Sequence, residues 1–296
     1  MSKGGGAGAG GNEAGRPATW SQLLAEARRC LPPPEHPAFE AEELLSRATG
    51  RPRYWFHARR SERAPHGEAA AFRVLVARRA KGEPLQYLLG EWEFLGRTFR
   101  VDPRALIPRR ETEGIVEVAC AAAAGAQRIL DLGTGSGVLA VTLALESRGA
   151  MVIALDRAPE ALALARENAA RHGVASRVRF LASDWLKGLR PGTPFDLAVA
   201  NPPYVPLLDA PNVSKTVSEH EPPLALYGGD DGLDPLRILL RTLPPFLRVG
   251  GPFVFEFGFS QAREVSALVE ASGAFRLEAI RLDAGGIPRT ATAVRT

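Results

Sequence analysis

Apolar residues recur at three- and four-residue spacing from Trp20 to Leu31 and again from Ala38 to Ala48, with Pro32-Pro33-Pro34 between them as a stop. This spacing predicts two short helices. A third is predicted over Glu68 to Lys81, with Phe72, Leu75 and Val76 on one face. Trp92, Phe94, Phe99 and Val101 then alternate around Gly96-Arg97, the pattern of a hairpin. Beyond it Glu111 to Ala124 reads as a helix. From there, strand-like runs at 128–132, 151–155, 178–182, 195–200 and 252–257 alternate with helical patterns at 138–146, 159–172, 235–246 and 261–271. Strands separated by helices imply βαβ units and a mainly parallel sheet. The last two runs, 275–282 and 290–294, leave no room for a helix and are expected to pair antiparallel. The expected organisation is a Gly-rich tail over residues 1–16, a helical domain over 17–90, a hairpin linker over 91–104 and an α/β domain over 105–296.

Composition changes this picture little. The 296 residues are 45% hydrophobic, ample for a packed core. The net charge of +4 comes from arginines interleaved with acids, which permits an acidic or RNA-bound partner without demanding one. Cys30 and Cys120 stand in unrelated contexts, so no disulfide framework or cysteine-based zinc site is expected, and a reducing compartment fits. The tail has no apolar core, as a signal peptide would require, and is expected to be disordered.

Chemistry concentrates at four strand ends. Asp131-Leu132-Gly133-Thr134-Gly135-Ser136-Gly137 sits where the first strand passes into a helix, the nucleotide-binding position of a doubly wound sheet. A dinucleotide fingerprint would place its third glycine at position 138, which is Val138, so the pattern departs from the NAD form. Asp156 closes the second strand at a distance suited to ribose hydroxyls; alone it could equally cap the following helix. Asp184 could accept from an exocyclic adenine amine and Trp185 could cover the ring, although the pair also fits a helix cap beside a half-buried tryptophan.

The fourth strand end is Asn201-Pro202-Pro203-Tyr204, after the apolar run 195–200. Asn201 offers a side-chain carbonyl, Pro202 a backbone carbonyl on a stiffened chain, and Tyr204 a flat face with a polar tip. Together they could hold a planar NH2 group. The bland alternative, a Pro-Pro turn with Asn as a turn residue, does not account for the glycine loop and acidic partner beside it.

These motifs resemble the seven-stranded S-adenosylmethionine-dependent methyltransferases that modify exocyclic or amide nitrogens. Further stretches narrow the resemblance to the HemK/PrmC family of protein glutamine-N5 methyltransferases: Glu83 to Tyr87, Gly90 to Phe94, Leu106 to Glu113, Glu221 to Leu226, Gly228 to Leu233, and Phe255 to Gly258 with Gln261, Asp283, Gly286 and Arg289. The resemblance covers the chain from about Trp20 onward. Arg110 stands where the family usually has Pro, and Phe257 where it usually has an aliphatic residue.

The resemblance implies a class I, Rossmann-like α/β catalytic domain and a helical substrate-recognition domain. It implies S-adenosylmethionine as cofactor, no metal, and methylation of the glutamine in the Gly-Gly-Gln loop of class 1 peptide chain release factors. Asn201, Pro202 and Tyr204 would be catalytic. Gly133, Thr134, Gly135, Ser136, Gly137, Asp156, Asp184, Trp185 and Asn201 would bind the cofactor, and Asn201, Pro202, Pro203, Tyr204 and Arg109 the substrate. A cytoplasmic monomer without stably bound nucleic acid or membrane is expected.

Two rivals share some of these signals. An adenine-N6 or guanine-N2 nucleic-acid methyltransferase can carry the same Asn-Pro-Pro-Tyr loop but would usually bring a basic recognition domain. A non-catalytic module could retain the fold without the complete set of contacts. His57, His66, His172 and His220 lack metal-ligand spacing. Glu111 and Glu113 fit a helix amino-terminal turn. Arg59, Arg60, Arg63, Arg78 and Arg79 are expected on a solvated helical surface.

Overall fold

The structure, a computed structural model, describes residues 17–31 and 37–296. The expected tail and the Pro32-Pro33-Pro34 stop lie outside the described residues. The chain divides into two compact units, Met1–Leu89 and Gly90–Thr296.

The first unit holds helices α1 (Trp20–Cys30), α2 (Pro37–Thr49), α3 (Arg53–Ala58), α4 (His66–Ala80) and α5 (Leu85–Leu89). Thr19 begins α1 with a capping box: its hydroxyl accepts from the Gln22 amide while the Gln22 side chain accepts from the Thr19 amide. Trp20, Leu23, Leu44, Leu45, Phe56 and Phe72 form the core. The helices α3 and α5 gave no periodic signal because six and five residues hold too few turns for one. Arg79 corrects the expectation of a solvated arginine surface. It is buried, with its guanidinium forked onto the Glu40 carboxylate at 2.8 and 3.0 Å, tying α4 to α2.

The second unit opens with the hairpin β1 (Glu91–Phe94) and β2 (Arg97–Arg100), followed by α6 (Glu113–Ala122). The sheet strands and their helices follow as β3 (Arg128–Leu132), α7 (Val138–Glu146), β4 (Met151–Asp156), α8 (Pro159–Arg171), β5 (Val178–Ala182) and β6 (Leu197–Ala200). Then come α9 (Lys215–Ser218), α10 (Asp234–Thr242), β7 (Pro252–Glu256), α11 (Ala262–Ala271), β8 (Phe275–Leu282) and β9 (Pro288–Arg295).

Seven strands form one sheet in the order β5-β4-β3-β6-β7-β9-β8. The first five strands of that row are mutually parallel, while β9 runs antiparallel to both β7 and β8. Every residue of β6 and β7 is buried, as strands covered on both faces require. Alternation along β3 serves two cores: Ile129 joins the cluster with α6 and α7, and Leu130 and Leu132 join the one with α10 and α11.

Two boundaries move for local reasons. The expected strand over 195–200 is laddered only from Leu197, Phe195 making a lone bridge to Leu247. The helix expected over 235–246 stops at Thr242, because Pro244 and Pro245 have no N–H to continue it and the chain tightens into a 3₁₀ turn over Pro244–Phe246. Among the described residues no helix is long and apolar enough to cross a membrane.

The hairpin packs within this second unit, Phe94 and Phe99 being buried with the residues of α6 and α7. Asn168 on α8, fully buried, anchors it. Its side chain accepts from the Arg100 amide at 2.8 Å and donates to the Arg100 carbonyl at 3.0 Å and to the Ser136 carbonyl of the glycine loop at 2.8 Å. One carboxamide therefore fixes loop and hairpin together. Asn168→Ala leaves three backbone groups, the buried Ser136 carbonyl and the part-buried amide and carbonyl of Arg100, without this partner and should lower unfolding free energy by about 2 kcal/mol. A urea titration showing a loss below about 1 kcal/mol would refute that accounting.

Candidate active site

Strand register brings the three chemical loops level. Leu132 pairs with Ala200, and Ala200 with Phe255, so Gly133, Asn201 and Glu256 leave three adjacent strands at one height. This is the carboxyl edge of the sheet. The point between β3 and β6, where the strand order reverses, is where open α/β sheets bind ligands.

The glycine loop is held from below. The amides of Gly133 and Thr134 both donate to the Leu155 carbonyl at 2.9 Å. Gly137 takes a φ of 84°, and a Cβ there would lie 2.9 Å from the Ala165 side chain on α8, so only glycine permits this approach. Asp156 accepts from the Gly135 amide at 2.8 Å and the Ala158 amide at 2.9 Å, joining the loop to the start of α8. The helix itself carries no side-chain cap. Burial raises Asp156 above the ordinary carboxylate range, and the amides of Ala158, Gly135 and Arg157 oppose the rise.

Asp131 lies under the same loop, wholly buried, and accepts the Thr134 hydroxyl at 2.6 Å. Burial pushes its carboxyl up to about 7, against the Thr134 hydrogen bond, with Asp156 adding to the rise. Asp184 is partly exposed and held below the ordinary range mainly by its hydrogen bond with Lys187. Trp185 adopts φ of 51°, uncommon for a bulky side chain, and the Ser183 hydroxyl grips its carbonyl at 2.6 Å. The strained turn sets the indole beside Gly133, where an added Cβ would meet the ring at 3.7 Å.

At the Asn-Pro-Pro-Tyr loop, hydrogen bonds run backwards into the protein. Asn201 Nδ2 donates to Thr112 Oγ1 at 3.0 Å, Thr112 donates to Glu256 Oε2 at 2.8 Å, and the Tyr204 hydroxyl donates to Glu256 Oε1 at 3.0 Å. Burial, then Glu256, lifts Tyr204 above the ordinary phenol value, so it stays protonated. The far side of the loop is braced by backbone: a Cβ on Gly228 would lie 2.5 Å from the Pro203 carbonyl oxygen, which explains a glycine there. Gln261 donates to the Tyr204 and Asp231 carbonyls at 3.1 and 3.0 Å and accepts from the Gly258 amide at 2.7 Å. On the near side Glu221, 3% exposed, accepts from the Ile107 amide at 3.1 Å and from the Arg109 guanidinium.

The loops enclose one cleft of about 1060 Å³, open mouth included. Gly133, Thr134, Gly135, Ser136, Asp156, Asp184, Trp185, Asn201, Pro203 and Arg109 all line it, joined by Leu106, Ile107, Pro108 and Leu224. Gly137, Pro202 and Tyr204 support the wall without being part of its lining; Pro202 is buried and Tyr204 is tied back to Glu256. Residue-by-residue reading missed the polar tasks of Thr112, Glu221, Glu256 and Gln261. A lone acid closing the apolar run of β7 was the available signal for Glu256.

Sheet order, antiparallel β9 and the loops at the strand ends define a class I, Rossmann-like methyltransferase. Residues 22–90 match the family model described as PrmC N-terminal domain, and residues 124–226 that of a methyltransferase domain. A release factor glutamine methyltransferase of Moorella thermoacetica is 42% identical over 281 residues, covering 94% of this chain and 99% of that protein. The protein of the same description from Bordetella pertussis is 41% identical, covering 88% and 95%. A methyltransferase structure from Pyrococcus furiosus shares the fold with a TM-score of 0.51 at 19% identity, over 68% of this chain and 90% of that one. The chain belongs to the release factor glutamine methyltransferase family.

The Asp131 carboxyl gives a pH signature with a definite sign. Its folded-state value of about 7 lies above its ordinary 3.8, so the folded chain binds the extra proton between the two. The stability it contributes is complete below the lower value and lost as pH rises through the upper one. Urea unfolding at about pH 5 and about pH 8 should show Asp131→Asn losing less stability over the interval than the unmutated protein. Equal losses would contradict the buried protonated acid.

Proposed function

We propose that this enzyme transfers a methyl group from S-adenosylmethionine to the side-chain amide nitrogen of the glutamine in the Gly-Gly-Gln motif of class 1 peptide chain release factors. The observation that carries the reading is the direction of Asn201. Its nitrogen is taken up by Thr112, itself in the cleft lining, which leaves the oxygen as the free end of the Asn201 carboxamide.

The residues fit the donor. Asp156 has one amide bond on each oxygen and retains lone pairs for ribose hydroxyls, Trp185 lies flat-sided beside Gly133, and Asp184 stands next to it in the cleft lining. When bound, S-adenosylmethionine supplies a methyl carbon on a positively charged sulfur, an electrophile whose leaving group is a neutral thioether.

A carboxamide nitrogen is a poor nucleophile, since its lone pair is delocalised into the carbonyl, and no side chain in water is basic enough to deprotonate it. Positioning therefore carries the catalysis. Asn201 Oδ1 accepts one amide hydrogen, fixes the nitrogen, and stabilises the positive charge that grows on it, while the Pro202 carbonyl, the expected second acceptor, belongs to a residue outside the cleft lining. Both hydrogens stay on the nitrogen through the transfer, and one is lost as a proton to bulk water when the methylated product leaves the cleft. Tyr204 fixes the end of the loop that carries them, through Glu256. Such orientation contributes on the order of 7–11 kcal/mol to lowering a barrier. Leu106, Ile107, Pro108 and Leu224 give the cleft an apolar wall that disfavours water, and the Glu221–Arg109 pair holds that wall in place.

The acceptor sets the remaining expectations. A release factor acts in translation, so the enzyme is cytoplasmic; it recognises a folded protein as a monomer and retains no nucleic acid.

Incubating a class 1 release factor with methyl-labelled donor should label its Gly-Gly-Gln glutamine and leave the Gln→Ala factor unlabelled. Asn201→Ala should lower kcat on the order of a hundredfold or more while S-adenosylhomocysteine affinity changes little. Labelling of the Gln→Ala factor, or full activity of Asn201→Ala, would reject the assignment.

A further inference from the structure

Glu256 is 1% exposed and closes a strand that is otherwise wholly apolar. Each of its oxygens accepts one hydroxyl, Thr112 at 2.8 Å and Tyr204 at 3.0 Å. An ionised carboxyl can only accept, so both hydroxyl protons must point at it. Thr112 has one proton, and with that proton directed to Glu256 it can only accept from Asn201 at 3.0 Å. Of the two ends of the Asn201 carboxamide, only the nitrogen can donate.

The two ends of a carboxamide are nearly identical in shape, and partners alone decide which way it lies. We propose that Glu256 is a positioning residue that sets this polarity: acting through Thr112, it keeps the oxygen of Asn201, rather than its NH2, turned to the cleft. The inference rests on the proposed amide-methylating function and names what makes that site an acceptor of donors.

Two hydroxyls, one on each oxygen, are the geometry of an accepting carboxyl, and they stand against a rise that burial gives it. Burial raises Glu256, while the Thr112 and Tyr204 hydrogen bonds and the positive charge of Arg289 hold it down and Glu111 adds to the rise. Removing the negative charge at constant shape therefore has a specific consequence. In Glu256→Gln the amide oxygen faces the Tyr204 phenol, which donates better than it accepts, and the NH2 faces Thr112. Thr112 then turns its proton to Asn201, whose carboxamide flips and presents NH2 to the cleft. The cleft would now match an acceptor-only side chain.

The test uses the full chain with S-adenosylhomocysteine present and two probes, a class 1 release factor and its Gly-Gly-Gln Gln→Glu variant. The unmutated protein should bind the glutamine form more tightly. E256Q should narrow or invert that preference by at least about tenfold and lose kcat, with S-adenosylhomocysteine affinity within about twofold. Thr112→Val breaks the same relay without touching the carboxyl and should narrow the preference in the same direction, which decides the matter should E256Q not fold. A glutamine-over-glutamate preference and kcat unchanged in the folded variants would overturn the inference. Failure of the unmutated protein to methylate the release factor would instead count against the proposed function.

Discussion

A carboxamide has a direction only when its surroundings distinguish nitrogen from oxygen, and the whole candidate site depends on the bond that does so for Asn201. Thr112 takes the nitrogen, Glu256 takes the Thr112 proton, and Tyr204 binds the other Glu256 oxygen. The Thr112–Glu256 link at its centre is buried, where unmet hydrogen bonds are costly and satisfied ones enforce a single arrangement. Without it the Asn-Pro-Pro-Tyr loop would be a polar turn of no fixed sense.

The sheet makes the relay possible. Parallel register places Asn201 and Glu256 at the same height on adjacent strands, and it places Gly133 level with both on the other side. The glycine loop and the Asn-Pro-Pro-Tyr loop thus lie on the two sides of one topological break. Glycine contributes where backbones must nearly touch, under the loop at Gly137 and behind it at Gly228. The Asn168 carboxamide ties the first loop to the hairpin as the relay ties the second to α6 and β7, so neither half of the site stands on loop geometry alone.

Much of this was legible in the residue pattern, for reasons that also mark where it ends. The periodic runs gave β3 and α7 to the residue, since alternation and 3.6-residue repeats are local properties. The helices α3 and α5 are too short to repeat, and the prolines that break the end of α10 were hidden in a convincing apolar pattern. Arg79 looked solvated because its partner Glu40 lies 39 residues away. The relay was out of reach for the same reason: Thr112 and Asn201 are 89 residues apart, and Thr112 and Glu256 are 144 apart. Family resemblance flagged Glu256 within a matched stretch, but only the folded geometry gives it a task.

The most direct measurement is a high-resolution structure of the enzyme with S-adenosylhomocysteine and a Gly-Gly-Gln-containing release factor. The account predicts the glutamine nitrogen about 3 Å from Asn201 Oδ1, with Asn201 Nδ2 still on Thr112. A glutamine whose oxygen, not its nitrogen, faces Asn201, or one whose nitrogen lies beyond hydrogen-bond reach of that oxygen, would contradict it.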